Sequence, residues 1–261
     1  VTVHVAAWTG LRAAELAGLQ VGDLKLPQPQ NHLAPGAVHV ERTVLVKYGP
    51  LVNLESNAMP GKPEIVYDNP KTRGSRRKVP LTRATVAVLR DYLEAHPRAD
   101  EPSAPLFPAA ALKLQKPSGK RAPTHESGPR KGKRMTPAEQ SARQPLADAE
   151  ERLLLDWESP VVHRNFYGQV YRPAVHRANL AGAGLPDDFR FHSLRHTYAS
   201  LCIAARIQPF VLSNFMGHAN TNVTLGVYAH LFQDDHADAM TALGALGQPA
   251  LNCNLVQMRV S

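Results

Sequence analysis

Residues 191–201 read Phe191-His192-Ser193-Leu194-Arg195-His196-Thr197-Tyr198-Ala199-Ser200-Leu201, and the apolar run Leu201-Cys202-Ile203-Ala204-Ala205 continues them. The pattern predicts a helix from Ser193 to Ala205 with His192 at its start. A histidine and an arginine three residues apart at a helix start lie on one face and can converge on one oxyanion. The arginine adds a rigid fork of donors suited to phosphate. Alone the pair is weak evidence, because a surface His and Arg at this spacing are common. His192 and His196 also have the four-residue spacing that can bind zinc, but the intervening Ser193, Leu194 and Arg195 supply no acidic ligand.

Downstream, Gln208 to Met216 predicts a shorter helix, and Gly217-His218 follows it. Thr221 to Leu231 predicts another helix carrying Tyr228, and Asp234-Asp235 opens a last one running from about residue 235 to Leu246. A tyrosine on an apolar helix face is ordinarily a core or rim residue. Upstream, residues 161–181 read as a helix. The two cysteines have no metal-type or redox-type spacing, and Cys202 reads as a small core residue.

At the other end of the chain, residues 1–19 have mostly helical spacing, with a turn or break at Thr9-Gly10. Arg12 follows that turn, and Glu15, three residues on, is able to orient its guanidinium. The bland alternative is an intrahelical ion pair of little consequence. Val38 to Tyr48 predicts a strand, and Glu64 to Tyr67 and Arg77 to Leu81 predict two more. The turn-forming residues between these last two give a hairpin at 64–81. Thr82 is a candidate N-cap for a helix through about His96. The fold class is therefore mainly α with a small antiparallel β-sheet (α+β).

With 261 residues, 43% hydrophobic and 20% charged, the composition is that of a soluble globular protein. The net charge of +8 is concentrated in two places. Lys113 to Arg143 holds nine Lys/Arg against Glu126 and Glu139, and Lys71 to Lys78 holds five with no acid. Such clustering suits a polyanionic partner. From Pro108 to about Gln144 the composition turns to Pro, Gly, Ser, Lys and Arg, which predicts a flexible basic insert at about 108–146. This fits a neutral insertion better than a DNA-contacting arm. No run is long and apolar enough to span a membrane, and a cytoplasmic location is the expectation.

Taken together, TGLRAAEL (9–16), PKTRGSRRKVPL (70–81), FHSLRHTYASL (191–201), MGH (216–218) and TLGVYAHL (224–231) resemble the tyrosine recombinase, or phage-type integrase, family in both order and spacing. The resemblance covers roughly residues 1–235. It implies a catalytic domain over 1–246, N-terminally truncated, with a C-terminal tail at 247–261. It implies site-specific DNA recombination through a covalent 3′-phosphotyrosyl intermediate, without metal, ATP or other cofactor. Arg12 and Arg195 match the arginines that clamp the scissile phosphate, and Tyr228 matches the nucleophile. Lys71 matches the lysine that protonates the departing 5′-oxygen, although Lys78 shares the same segment. His192 and His218 match the histidines that assist proton transfer, and Glu15 matches an acidic support for the first arginine. His196 and His230 fall within the motifs and receive only packing or supporting roles. Arg73, Arg76, Arg77 and Lys78 are candidate DNA contacts. The implied partners are double-stranded DNA and further copies of the chain in a tetramer, with no membrane. Two other readings stay open: a catalytically incompetent DNA-binding remnant, and a type IB topoisomerase-like enzyme.

Overall fold

Gly10 ends the first helix, and the reason is local. A computed structural model of the chain describes residues 1–28, 34–47, 64–68, 76–113 and 122–232. Helix α1 (Thr2–Thr9) stops at Gly10, whose φ of 63° is left-handed. A Cβ there would lie 2.3 Å from the Tyr198 ring, so only glycine fits both the turn and the close approach. Helix α2 (Ala13–Ala17) starts immediately after Arg12.

The strands follow the expected segments but pair differently. Strand β1 (Leu24–Lys25) is antiparallel to β2 (Gly36–Val40), while β3 (Thr43–Lys47) pairs with β4 (Glu64–Asp68). Strand β5 (Arg77–Leu81) runs antiparallel to β2, with Val38 opposite Val79. The strand expected over 38–48 is thus broken at Glu41-Arg42, where Arg42 turns aside to an ion pair with Asp23. The hairpin expected at 64–81 is corrected: β4 and β5 do not pair with each other but continue down the two halves of the 36–47 segment. Alternation specifies which face a strand buries, and it is silent on which strand lies beside it.

Helix α3 (Arg83–Glu94) begins at the expected cap, with the Thr85 amide donating to Thr82 Oγ1 at 3.2 Å. The stretch expected to be an unstructured insert holds regular elements instead. Strand β6 (Pro108–Leu112) pairs with β7 (Leu153–Pro160), the small residues Ala109 to Ala111 lying opposite Asp156 to Leu154. Helix α4 (Pro137–Ala142) is fixed by a capping box of Thr136 and Glu139, and α5 (Leu146–Glu151) follows. Met135 and Ala142 bury their side chains and anchor this region.

Helix α6 (His163–Phe166), a π-turn at Tyr167–Tyr171 and α7 (Arg172–Leu180) together fill the helical run expected at 161–181. Helices α8 (Ser193–Ala204), α9 (Pro209–Met216) and α10 (Thr221–Tyr228) complete the described fold, and a 3₁₀ turn at Ala229–Leu231 follows them. The helix expected from residue 235 and the tail at 247–261 lie outside the described residues. One core joins α1, the sheet and α3 to Phe166, Tyr171, Phe191 and Leu194. A second, smaller core is built by Tyr198, Cys202, Leu212, Met216 and Tyr228. Helix α8 contributes to both cores, which fixes its orientation between them. The fold is mainly helical with small antiparallel sheets, as the sequence predicts.

Candidate active site

Arg195 lies at the junction of the two cores. Phe191 and Leu194 bury themselves in the first, which turns Arg195, one residue on, into the interior at 4% exposure. Its guanidinium donates to the Gly10 carbonyl through Nη1, and to the Met216 carbonyl through Nη2 at 2.6 Å. Burial, followed by repulsion from Arg12, pushes its pKa down to about 10, while Glu15 opposes the shift. The side chain therefore stays charged at neutral pH, and its donors have a fixed orientation.

Arg12 is held by the carboxylate that begins α2. Its own amide donates to Glu15 Oε2 at 2.8 Å and its Nη1 to Oε1 at 2.9 Å, while Nη2 reaches the Gly217 carbonyl at 3.2 Å. The Arg12 side chain keeps 43% of its exposure, so it is not closed off from solvent. Glu15 is buried and takes a second arginine: Arg77 Nη1 and Nη2 bind its two oxygens at 2.9 and 2.8 Å. Arg77 Nε donates to the Phe215 carbonyl at 2.7 Å. Arg77, expected as a DNA contact, has these partners inside the protein. At 6% exposure its guanidinium is committed inward, where it braces Glu15 and the end of α9.

Gly217 caps α9 with φ of 62°, and a Cβ there would come within 2.6 Å of Arg77 Nη1. This tight turn presents the Met216 and Gly217 carbonyls to the two arginines and sends the chain on to His218. The His218 Nδ1 shares a 2.8 Å hydrogen bond with the hydroxyl of fully buried Thr224. Burial and the nearby Arg195, Arg12 and Arg77 charges push the His218 pKa down to about 4, so its imidazole is neutral at physiological pH.

Tyr228 ends α10 with 5% exposure, packed in the second core. Its hydroxyl is 2.7 Å from His196 Nδ1. Burial raises its pKa and the Arg195 charge opposes the rise. His192 and His196 meet edge to face with ring centroids 5.2 Å apart. Burial, then the charges of His196, Arg195 and Arg12, lower the His192 pKa.

Arg12, Arg195 and His218 thus meet at the turn at Met216-Gly217, with Glu15 holding Arg12 and Tyr228 joined to the same helix as Arg195 through His196. Lys71 and Arg73 lie outside the described residues. Arg76 and Lys78 are exposed, with Arg76 3.9 Å from Glu41. Sequence reasoning missed Arg77 as a brace, His196 as the partner of the Tyr228 hydroxyl, and Thr224 as the partner of His218. The signal for Arg77 was present: it alternates with buried Val79 and Leu81, so it shares their inward face, whereas Arg76 and Lys78 take the outward one.

A model of the phage integrase family matches residues 1–234. The chain belongs to that family. This integrase-family chain is 22% identical over 239 residues to a "tyrosine recombinase XerC-like" protein of Caldanaerobacter subterraneus subsp. tengcongensis. The match takes in 91% of the chain and 47% of that relative, so the chain spans about half the relative's length. Among solved structures it resembles a Tn1549 transposon integrase fragment in complex with circular intermediate DNA. That likeness has 17% identity and a TM-score of 0.50, covering 94% of this chain and 58% of the other. A single-residue variant of the same integrase, in complex with transposon right end DNA, gives 18% identity and a TM-score of 0.51 at the same coverage. At such identities the likeness is one of fold.

Proposed function

We propose that this chain carries out site-specific DNA recombination, with Tyr228 cutting and rejoining one strand at a time. The Tyr228 oxygen attacks the scissile phosphorus, a Tyr–O–P bond forms, and the bond to the 5′-oxygen breaks. The 2.7 Å contact supports His196 Nδ1 as acceptor of the hydroxyl proton. The leaving 5′-oxygen takes a proton from Lys71 on this reading, which rests on the family resemblance alone. The bond energy of the cut strand is kept in the phosphotyrosyl link, so rejoining by a 5′-hydroxyl needs no ATP.

Charge gathers on the non-bridging phosphate oxygens in the transition state, and fixed cationic donors stabilise it more than the ground state. Arg12 and Arg195 supply such donors, and neutral His218 donates through Nε2 in the tautomer whose Nδ1 accepts from the Thr224 hydroxyl. The observation that carries the reading is the convergence of both arginines on the Met216-Gly217 turn, with Tyr228 tied to helix α8. Exposed Arg76 and Lys78 are proposed contacts to the DNA backbone. Assembly as a tetramer on duplex DNA and a cytoplasmic location belong to the same reading. Among the described residues no helix is long and apolar enough to cross a membrane.

The test is a suicide substrate. Nicked duplexes drawn from the ends of the element that carries the gene are incubated with wild-type protein and with Tyr228→Phe. The expected result is a denaturation-resistant protein–DNA adduct that vanishes in the variant. Salt-sensitive DNA binding with no adduct from the wild type overturns the catalytic reading in favour of a non-catalytic DNA-binding protein.

A further inference from the structure

Residues 123–135 fold into a small finger whose charges the site described above does not use. Its base is closed by the Met135 amide on the Pro123 carbonyl at 2.8 Å and the His125 amide on the Lys133 carbonyl at 3.0 Å. Its tip is two tight turns, with the Lys131 amide on Gly128 O at 3.0 Å and the Lys133 amide on Arg130 O at 2.9 Å. Gly128 and Gly132 both adopt left-handed φ, at 77° and 79°. Below the tip, the carboxylate of Glu139 takes Arg130 in an ion pair, accepts from the Thr136 amide and hydroxyl, and lies 3.4 Å from His125 Nε2.

This arrangement sorts the positive charges. Arg130 is neutralised at the base, whereas Lys131, Lys133 and Arg134 are exposed and, among the described residues, have no ion-pair partner. Three like charges within four residues repel one another, and the hydrogen-bonded turns hold them together nonetheless. Residues 126–134 carry no aromatic or aliphatic side chain other than Pro129. Protein interfaces are gripped by apolar and aromatic anchors that this tip lacks. Cations on a preorganised backbone suit a repeating phosphate chain, which demands charge and little else. The finger also stands on the support of the candidate site. Arg177 of α7 donates to the Ser141 and Gln144 carbonyls beside α4, and Arg172 of the same helix donates to the Asp187 and Phe189 carbonyls leading to His192.

We propose that the finger at 123–135 is a separate, sequence-independent DNA contact that presents Lys131, Lys133 and Arg134 to the phosphates of a duplex. The proposal rests on the reading of the chain as a DNA recombinase. It makes the finger an accessory grip, distinct from the surface that carries the chemistry.

The experiment measures affinity for a labelled DNA duplex of arbitrary sequence across a salt series. It compares the wild type, a Lys131→Gln/Lys133→Gln/Arg134→Gln triple variant, and a charge-keeping Lys131→Arg/Lys133→Arg/Arg134→Lys triple. Each lost phosphate contact lowers the slope of log affinity against log salt by about 0.9, so the neutral triple should lose about 2 to 3 in slope. Its affinity should fall about tenfold or more at low salt, with an unchanged melting curve, and the charge-keeping triple should bind as the wild type does. Wild-type slope and affinity in the neutral triple overturn the finger and leave the recombinase reading standing. Failure of the wild type itself to bind DNA overturns both. A loss seen only on an RNA duplex of the same length overturns the DNA assignment.

Discussion

Arg77 and Glu15 meet in a two-point fork inside the protein, Nη1 to Oε1 at 2.9 Å and Nη2 to Oε2 at 2.8 Å. Through Arg77 Nε the same guanidinium also holds the Phe215 carbonyl, so one carboxylate ties β5, α2 and the end of α9 together. Removing one partner of a buried pair strands the other charge and costs about 3–5 kcal/mol. Glu15→Ala should lower unfolding stability by that order, as read by urea titration. A loss within about 0.5 kcal/mol, ordinary for surface substitutions, would show that the pair does not brace the fold.

Glu15 also gives the fold an acid limit. Burial acting alone would raise its carboxyl, but the hydrogen bonds and charges of Arg77 and Arg12 outweigh burial and hold it below its ordinary value. A group depressed in the folded state adds stability above its unfolded pKa of about 4.3, and the contribution is lost as pH falls through the folded value. Stability of the wild type should therefore drop below about pH 4, and Glu15→Gln should flatten that drop. Parallel stability–pH curves for the two proteins would contradict this.

His218 acts at milder pH, in a different range. Its folded pKa of about 4 lies below the ordinary histidine value, so between the two an unfolded chain takes up a proton that the folded chain refuses. Stability should fall as pH drops through that range, while the folded imidazole stays mostly neutral until the pH nears 4. An NMR titration of the His218 ring should give a midpoint near 4. A midpoint at the ordinary value of about 6.5 would mean that neither burial nor the surrounding arginines act on it.

Gly217→Ala should damage the site twice over. The left-handed backbone costs a residue with a Cβ about 1–2 kcal/mol. The added carbon also meets Arg77 Nη1 at 2.6 Å. Thermal unfolding should show the loss, and adduct formation should fall further than stability alone explains. Wild-type melting and wild-type cleavage in the variant would remove this turn from the account.

His196→Ala should leave DNA affinity intact and slow adduct formation about a hundredfold, the lower end of what a proton acceptor contributes. The rate's dependence on pH should change with it. If the rate and its pH profile both stay as in the wild type, His196 only packs against Tyr228.

Much of the fold was legible because single residues punctuate it. Gly10 and Thr82 marked a helix end and a helix start from the sequence, and the run after His192 gave α8 directly. What was not legible is pairing across distance. The period of two located β4 and β5 but not their partners β3 and β2. Ala109 to Ala111 is uninformative by itself, and its partner strand lies beyond two intervening helices. The site divides in the same way. The candidate arginines and Tyr228 were named from motifs, and alternation along β5 already faced Arg77 inward. That its partner would be Glu15, 62 positions earlier, is a property of the folded chain only.

The hydrogen bond from Arg195 to the Gly10 carbonyl joins positions 185 residues apart. On the proposed chemistry, DNA cutting is thus a property of the folded chain. Before folding, Arg12, Arg195 and Tyr228 are far apart along the chain, and there is neither a phosphate clamp nor a nucleophile placed to use it. Proteolytic halves are in the same position, each holding one arginine. On that chemistry, correct folding acts as the safety catch on the reaction.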